Sequence, residues 1–114
     1  MKTPDQAVVI DTLHKARQLI SDPRRWHRNT LARDVHGVAV TLEDPNAWSF
    51  CALGAAARVA PSGVFHYVHQ ALEAKVPDGL RYPSVANFND DPQTQHADVI
   101  KLYDRTIKAE EAKL

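Results

Sequence analysis

One run of the sequence limits the fold more than any other: Ala47-Trp48-Ser49-Phe50-Cys51-Ala52-Leu53-Gly54-Ala55-Ala56-Ala57-Arg58-Val59-Ala60. So apolar a stretch must be buried, and its composition predicts a central helix with the rest of the chain wrapped around it. Trp48, Phe50 and Leu53 crowd its start. Cys51, Gly54, Ala55 and Ala56 leave a flat side that neighbouring helices can approach closely. Arg58 and Pro61 close the run well short of the ~18–20 apolar residues needed to cross a bilayer, so no membrane partner is expected.

Start and stop signals set the flanking elements. Thr3-Pro4-Asp5-Gln6 reads as a capping box with Thr3 as the cap, opening a helix whose apolar face is Val9, Leu13, Ala16 and Ile20. Asp22-Pro23 ends it. Val38 to Leu42 suits a short strand, one arm of a hairpin turning at Gly37, and such a pair must lean on helices to persist. Asp44-Pro45-Asn46 repeats the helix-start signal before the central segment. Pro61-Ser62-Gly63 breaks that helix and offers Ser62 to cap a third, with Val64, Phe65, Val68 and Leu72 at helical spacing. Val76-Pro77-Asp78-Gly79 is a turn, and Leu80 to Asp91 reads as irregular, with Tyr82, Val85 and Phe88 as plugs and Ser84 capping one short helical turn. A last helix carries His96, Ile100, Tyr103 and Ile107 in line. The expectation is a mostly α chain: one domain over residues 1–114, a compact bundle of about four helices, with a short β-hairpin allowed between the first and second.

Composition narrows the class. Hydrophobic residues make up 44% and charged residues 25%, and 14 basic residues balance 14 acidic ones. Neutrality supplies no global field towards nucleic acid or anionic lipid, so binding there would need a local patch. The single cysteine excludes an internal disulfide, and the start of the chain lacks a charged leader with an apolar core, which together predict a cytoplasmic protein.

Trp48 through Ala55, and Asn89-Asp90-Asp91 followed by Thr94 and Asp98-Val99, carry a resemblance. The chain resembles a family of small uncharacterised bacterial and phage proteins, a domain of unknown function with a Trp-Cys-Ala-Leu-Gly-Ala helix and a later Asn-Asp segment. Phe50 precedes Cys51 where tryptophan is usual in that family. The resemblance implies a compact fold over most of the chain and no assigned activity.

Four constellations bear on function, each beside a plainer explanation. Cys51 near a helix start, with His96 and Asn89 or Asp91 later in the chain, can be drawn as a thiol hydrolase or acyl-transfer set. A cysteine among alanines is more often a small buried hydrophobe. Asn89, Asp90 and Asp91 offer oxygen ligands to a hard cation, but their spacing matches no calcium loop and helix capping is the commoner role. His66 and His69 share a helix face without a third metal ligand. Arg24, Arg25 and Arg28 around Trp26 form a basic and aromatic cluster suited to phosphates and bases. The alternative has Trp26 plugging the core while the arginines reach water or pair with Asp22 and Asp34.

No catalytic set exceeds its structural explanation, so the sequence points to a non-enzymatic interaction protein without cofactor or metal. Its expected partner is another protein or a copy of itself. The expected binding residues are Arg24, Arg25, Trp26, Arg28, Tyr82, Asn89 and Asp90. The alternatives are an enzyme using Cys51, His96 and Asp91, and nucleic-acid binding through Arg24 to Arg28.

Overall fold

The computed structural model of the chain describes residues 4–77 and 81–114. Helix α1 spans Gln6–Leu19, with Asp5 as its N-cap accepting from the Ala7 N–H at 3.1 Å. The cap is therefore Asp5, two residues later than the expected Thr3, which lies outside the described residues. Val9, Leu13, Ala16 and Ile20 are buried along one face, as their spacing requires.

The chain then makes a 3-10 turn at Pro23–Arg25 and enters an extended region before the next helix. Strand β1 (Ala32–Arg33) pairs antiparallel with β2 (Ser49–Phe50), Ala32 opposite Phe50. Val38 to Leu42 does not form the expected strand: the chain folds back through Asp34 to Gly37, where Gly37 adopts φ +84°, but only an isolated bridge joins Ala39 to Arg33 of β1. On the other side, Trp26 bridges Phe50 in parallel.

This sheet corrects the central-helix expectation. The helix does not begin near Asn46: Trp48 donates its N–H to Arg33 O at 2.7 Å, and Ser49 and Phe50 are strand residues. Pairing with β1 satisfies these backbone groups and buries Phe50 to 1% exposure, so a strand serves better there than another helical turn. Asp44 to Ala47 forms turns instead. Helix α2 covers only Ala52–Val59, with Cys51 as its N-cap.

Helix α3 spans Phe65–Glu73, and its N-cap is Val64 without a side-chain bond; the expected cap, Ser62, sits in the preceding turn. The segment expected to be irregular contains helix α4, Val85–Asp90, which Ser84 caps by accepting from Asn87 N–H at 3.1 Å. Leu80 and the Asp78-Gly79 turn lie outside the described residues. Glu73 at the end of α3 also accepts the Val85 N–H at 3.1 Å, tying the start of α4 to α3. Helix α5 runs His96–Glu111 behind a capping box made by Gln95 and Asp98.

The whole is mostly α, with a short antiparallel strand pair between α1 and α2, and five helices among the described residues rather than about four. Val9, Leu13, Ala16 and Ile20 from α1 meet Ala52, Ala55 and Ala56 of α2, and Val99, Leu102, Tyr103 and Ile107 of α5 close the other side. The small residues of α2 do allow close approach. At Gly54, however, the close neighbour is the backbone of Leu31, in the loop leading to β1. Tyr103, fully buried, donates its hydroxyl to Ala52 O at 2.6 Å and so locks α5 to the first turn of α2.

Candidate functional site

Asn89 is the junction of the expected binding region. It is 1% exposed, and its amide makes four bonds. Oδ1 accepts from Trp26 Nε1 at 2.7 Å and from Ala52 N–H at 3.0 Å. Nδ2 donates to His27 O at 3.2 Å and to Asp90 Oδ1 at 2.9 Å. One side chain thus joins α4, the Trp26 loop and the start of α2, and its polar capacity is used in full. Asp90 adds a bond from Asn29 N–H at 2.8 Å, which supports Asn29 at φ 76°.

The arginines of the cluster point mostly inward to backbone. Arg25 donates to Trp48 O and lies over the Trp48 ring at 4.7 Å. Arg28 donates to Asp91 O at 3.2 Å and to Thr94 O, and it covers the Trp26 ring at 4.8 Å. Arg24 pairs with Asp22 at 2.7 Å on the surface; its guanidinium holds the Asp22 carboxyl down to about 2. Asp34 caps its own hairpin turn, accepting from His36 and Val38 N–H. Tyr82 donates to Asp91 Oδ2 at 2.9 Å and packs edge-on to Phe88. Asp91 also accepts from Gln93 N–H and faces Arg81, and these contacts, led by the Gln93 amide, keep its carboxyl below the usual range.

Cys51, His96 and Asp91 are directed to different partners. The Cys51 thiol, 8% exposed, lines a cavity of about 210 Å³ with Leu31, Leu53, Asn89 and Asp90, and it accepts from Gly54 N–H at 3.3 Å. Burial pushes the thiol up despite the helix amides beside it, which is the reverse of a thiolate nucleophile. His96 Nε2 bonds Ile20 O at 2.7 Å, closing the end of α1, while its ring leans on Trp26. Among the described residues no hydrogen bond joins these three groups. His69 bonds Glu73 at 2.8 Å and stacks on Phe65, and His66 lies against Tyr67. No group of three or more His, Cys, Asp or Glu able to hold a metal ion is found among the described residues.

Two features were not legible in the sequence. His27, 9% exposed, bonds Ser49 Oγ through Nδ1 at 2.8 Å and Thr30 O through Nε2 at 2.7 Å. The carbonyl can only accept, so Nε2 carries the proton and Nδ1 accepts from the serine hydroxyl. Burial lowers the imidazole pKa, with Arg33 nearby adding to the effect. A histidine inside an arginine run gave no hint of this. The second feature is apolar exposure: Leu31 (49%), Val35 (62%) and Val38 (59%) project around the hairpin. Beside them a groove of about 470 Å³ runs between Asp34 to His36 and Pro45 to Trp48. Val38 and Val40 alternate as in a half-buried strand, and Val40 does pack against the core, so nothing in the sequence marked the exposure at Val35 and Val38.

The fold and this surface define a small, mostly α-helical domain whose irregular segments are pinned by buried amide and guanidinium contacts. The chain belongs to the family of unknown function DUF6197, whose model matches residues 4–109. No curated protein and no solved structure matches it. Among the described residues no helix is long and apolar enough to cross a membrane.

Proposed function

We propose that this chain is a non-enzymatic, cytoplasmic interaction domain of bacterial or phage type, a single unit that binds another protein or a second copy of itself. The observation that carries the reading is the exposure of Leu31, Val35 and Val38 beside the groove that Trp48 lines. These three aliphatic side chains, left open within eight residues of one another around the hairpin, are read here as an apolar binding patch. Arg24 and Arg81 are well exposed and paired with Asp22 and Asp91. Arg25, Trp26, Arg28, Tyr82, Asn89 and Asp90 serve that surface chiefly by holding its loops in place.

Geometry gives the alternatives less support. A nucleic-acid surface needs guanidinium groups free for phosphates, and Arg25 and Arg28 are engaged with carbonyls of their own chain. An acyl-transfer enzyme needs an activated thiol beside its base, and Cys51 is buried and away from the bonds His96 makes.

The test is site-directed photo-crosslinking from Val35 in the full chain, produced in its native host, together with sedimentation of the purified protein. A discrete crosslinked product that disappears in Val38→Lys is expected. A chain that stays monomeric and yields no crosslinked protein overturns the reading. Rapid alkylation of the folded thiol near neutral pH, abolished by His96→Ala, would replace it with the enzymatic one. Salt-sensitive retardation of oligonucleotides would replace it with the nucleic-acid one.

A further inference from the structure

The chain between the hairpin tip and the turn at Thr41 has one paired side and one open side. Asp34 N–H donates to Val38 O at 2.9 Å, and Val40 N–H donates to Ala32 O at 3.1 Å. The Val38 N–H is taken by the Asp34 carboxylate at 3.0 Å. The peptides of the described residues are trans, so the C=O and N–H of each unit point in opposite directions. It follows that Ala39 N–H and Ala39 C=O face away from β1 and that Gly37 C=O turns away from the Asp34 carboxylate, while Thr41 N–H lies next along the same segment. Among the described residues none of these four groups has a hydrogen-bond partner. Gly37, Val38, Ala39 and Thr41 are exposed, so this row of donors and acceptors lies open at the edge of the sheet.

Sheet edges are ordinarily guarded by charged side chains, proline or a bulge. Gly37-Val38-Ala39-Val40-Thr41 has no charge and no proline, and it is symmetric in its middle: valine, alanine, valine. We propose that this edge pairs antiparallel with the same edge of a second copy about a twofold axis at Ala39. The inference rests on the protein-binding reading above and names its partner.

In that register the two Ala39 residues exchange both backbone bonds, and each Thr41 N–H meets the Gly37 C=O of the other copy. All four open groups are satisfied once in each copy by symmetry. Val38 stands opposite Val40 of the other copy, where directly facing side chains come within about 5 Å. A valine that overhangs the core in one copy is thereby covered by the other.

Charge permits the contact. The chain is neutral, so two copies do not repel. Asp34 and Asp44, in the turns that flank the segment, direct their carboxylates into those turns, accepting from His36, Val38 and Asn46 amides. Like charges therefore do not face each other across the axis.

The experiment is a concentration series of the full chain by sedimentation equilibrium, with amide exchange followed by NMR at each concentration. The interface is small, so dimer should appear only towards the concentrated end. Protection of the Ala39 and Thr41 amides should rise with the dimer fraction. Val38→Lys should weaken association about tenfold or more, which corresponds to about 1.4 kcal/mol. Its melting temperature should stay unchanged, because the side chain is exposed. Ala39→Pro, which removes one outward donor, should do the same. The inference is overturned by a monomer throughout the series, or by a dimer that both variants leave intact. It is equally overturned if Ala39 and Thr41 exchange independently of concentration. Protection of those amides by a different protein while the chain alone stays monomeric refutes self-pairing and leaves the broader binding reading standing.

Discussion

Gly54 stands against the backbone of Leu31: a Cβ placed on this glycine would fall 2.9 Å from the Leu31 carbonyl carbon, and closer still to its oxygen. Real Cβ atoms do not approach backbone so closely, and a carbonyl cannot rotate aside as a flexible side chain can. Helix α2 and the loop into β1 are in contact because this position has no side chain. Gly54→Ala should therefore destabilise the protein by roughly 3 kcal/mol through overpacking, despite alanine's better helix propensity. Urea titration checks this; an unchanged or raised midpoint would show that the loop yields.

Removing the junction at Asn89 should be about as costly. Asn89→Ala strands the Trp26 indole N–H and the Ala52 N–H, both of which rely on Oδ1. Two orphaned buried donors imply a loss of about 2–5 kcal/mol. Tryptophan fluorescence gives a second readout, because the Trp26 ring loses its anchor. Asn89→Asp should rescue little: it can accept both bonds but cannot donate to His27 O, and it sets a second carboxylate beside Asp90.

His27 sets a pH dependence of definite sign. Its folded pKa lies below the ordinary value of 6.5, so the unfolded chain binds the proton more readily than the folded one. The stability linked to the neutral ring is fully present above pH 6.5 and is lost as pH falls from there through the folded value. Protonation turns Nδ1 into a donor and deprives the Ser49 hydroxyl of its acceptor. The depressed carboxyls Asp22 and Asp91 titrate in a more acidic window. Denaturation midpoints between pH 5 and 7 should fall towards acid in the parent, and that slope should flatten in His27→Gln.

Tyr103→Phe isolates the tie between α5 and α2. The substitution keeps the ring and deletes only the hydroxyl that reaches Ala52 O, in a site with no access to water. A loss of about 1 kcal/mol is expected. A loss near zero in thermal denaturation would show that the bond adds little beyond the packing of the ring.

Cys51 should behave as an inert core residue. Burial has raised its thiol, so alkylation of the folded protein near neutral pH should be slow and should accelerate when denaturant is added. Cys51→Ser should keep the fold, since a serine hydroxyl can take over the cap that Sγ now provides to Gly54 N–H. Labelling at equal rates with and without denaturant would contradict this.

Periodicity made the amphipathic parts of the chain legible. Val9, Leu13, Ala16 and Ile20 face the core, as do Val68 and Leu72, and Ser84 caps the short helix as its position suggests. The segment from Ala47 to Cys51 misled because apolarity fixes burial but not conformation. A short buried strand and a buried helix end look alike in sequence, and only pairing with Ala32 and Arg33 separates them. The site was legible as a list of residues but not as a set of roles. Arg25, Trp26 and Arg28 resemble a binding patch until the carbonyls they reach are known, and those lie far away along the chain.

The arginine contacts described above have a consequence for how this protein meets its solvent. Arg25, Arg28, Arg33 and Arg58 fasten loops by donating to neutral main-chain oxygens at Trp48, Asp91, Thr94, Arg28, Leu42 and Asp44. Dissolved ions weaken attraction between opposite charges far more than they weaken a hydrogen bond to an uncharged carbonyl. The irregular half of the molecule should hold its shape as ionic strength rises, which is unusual for loops so rich in cations.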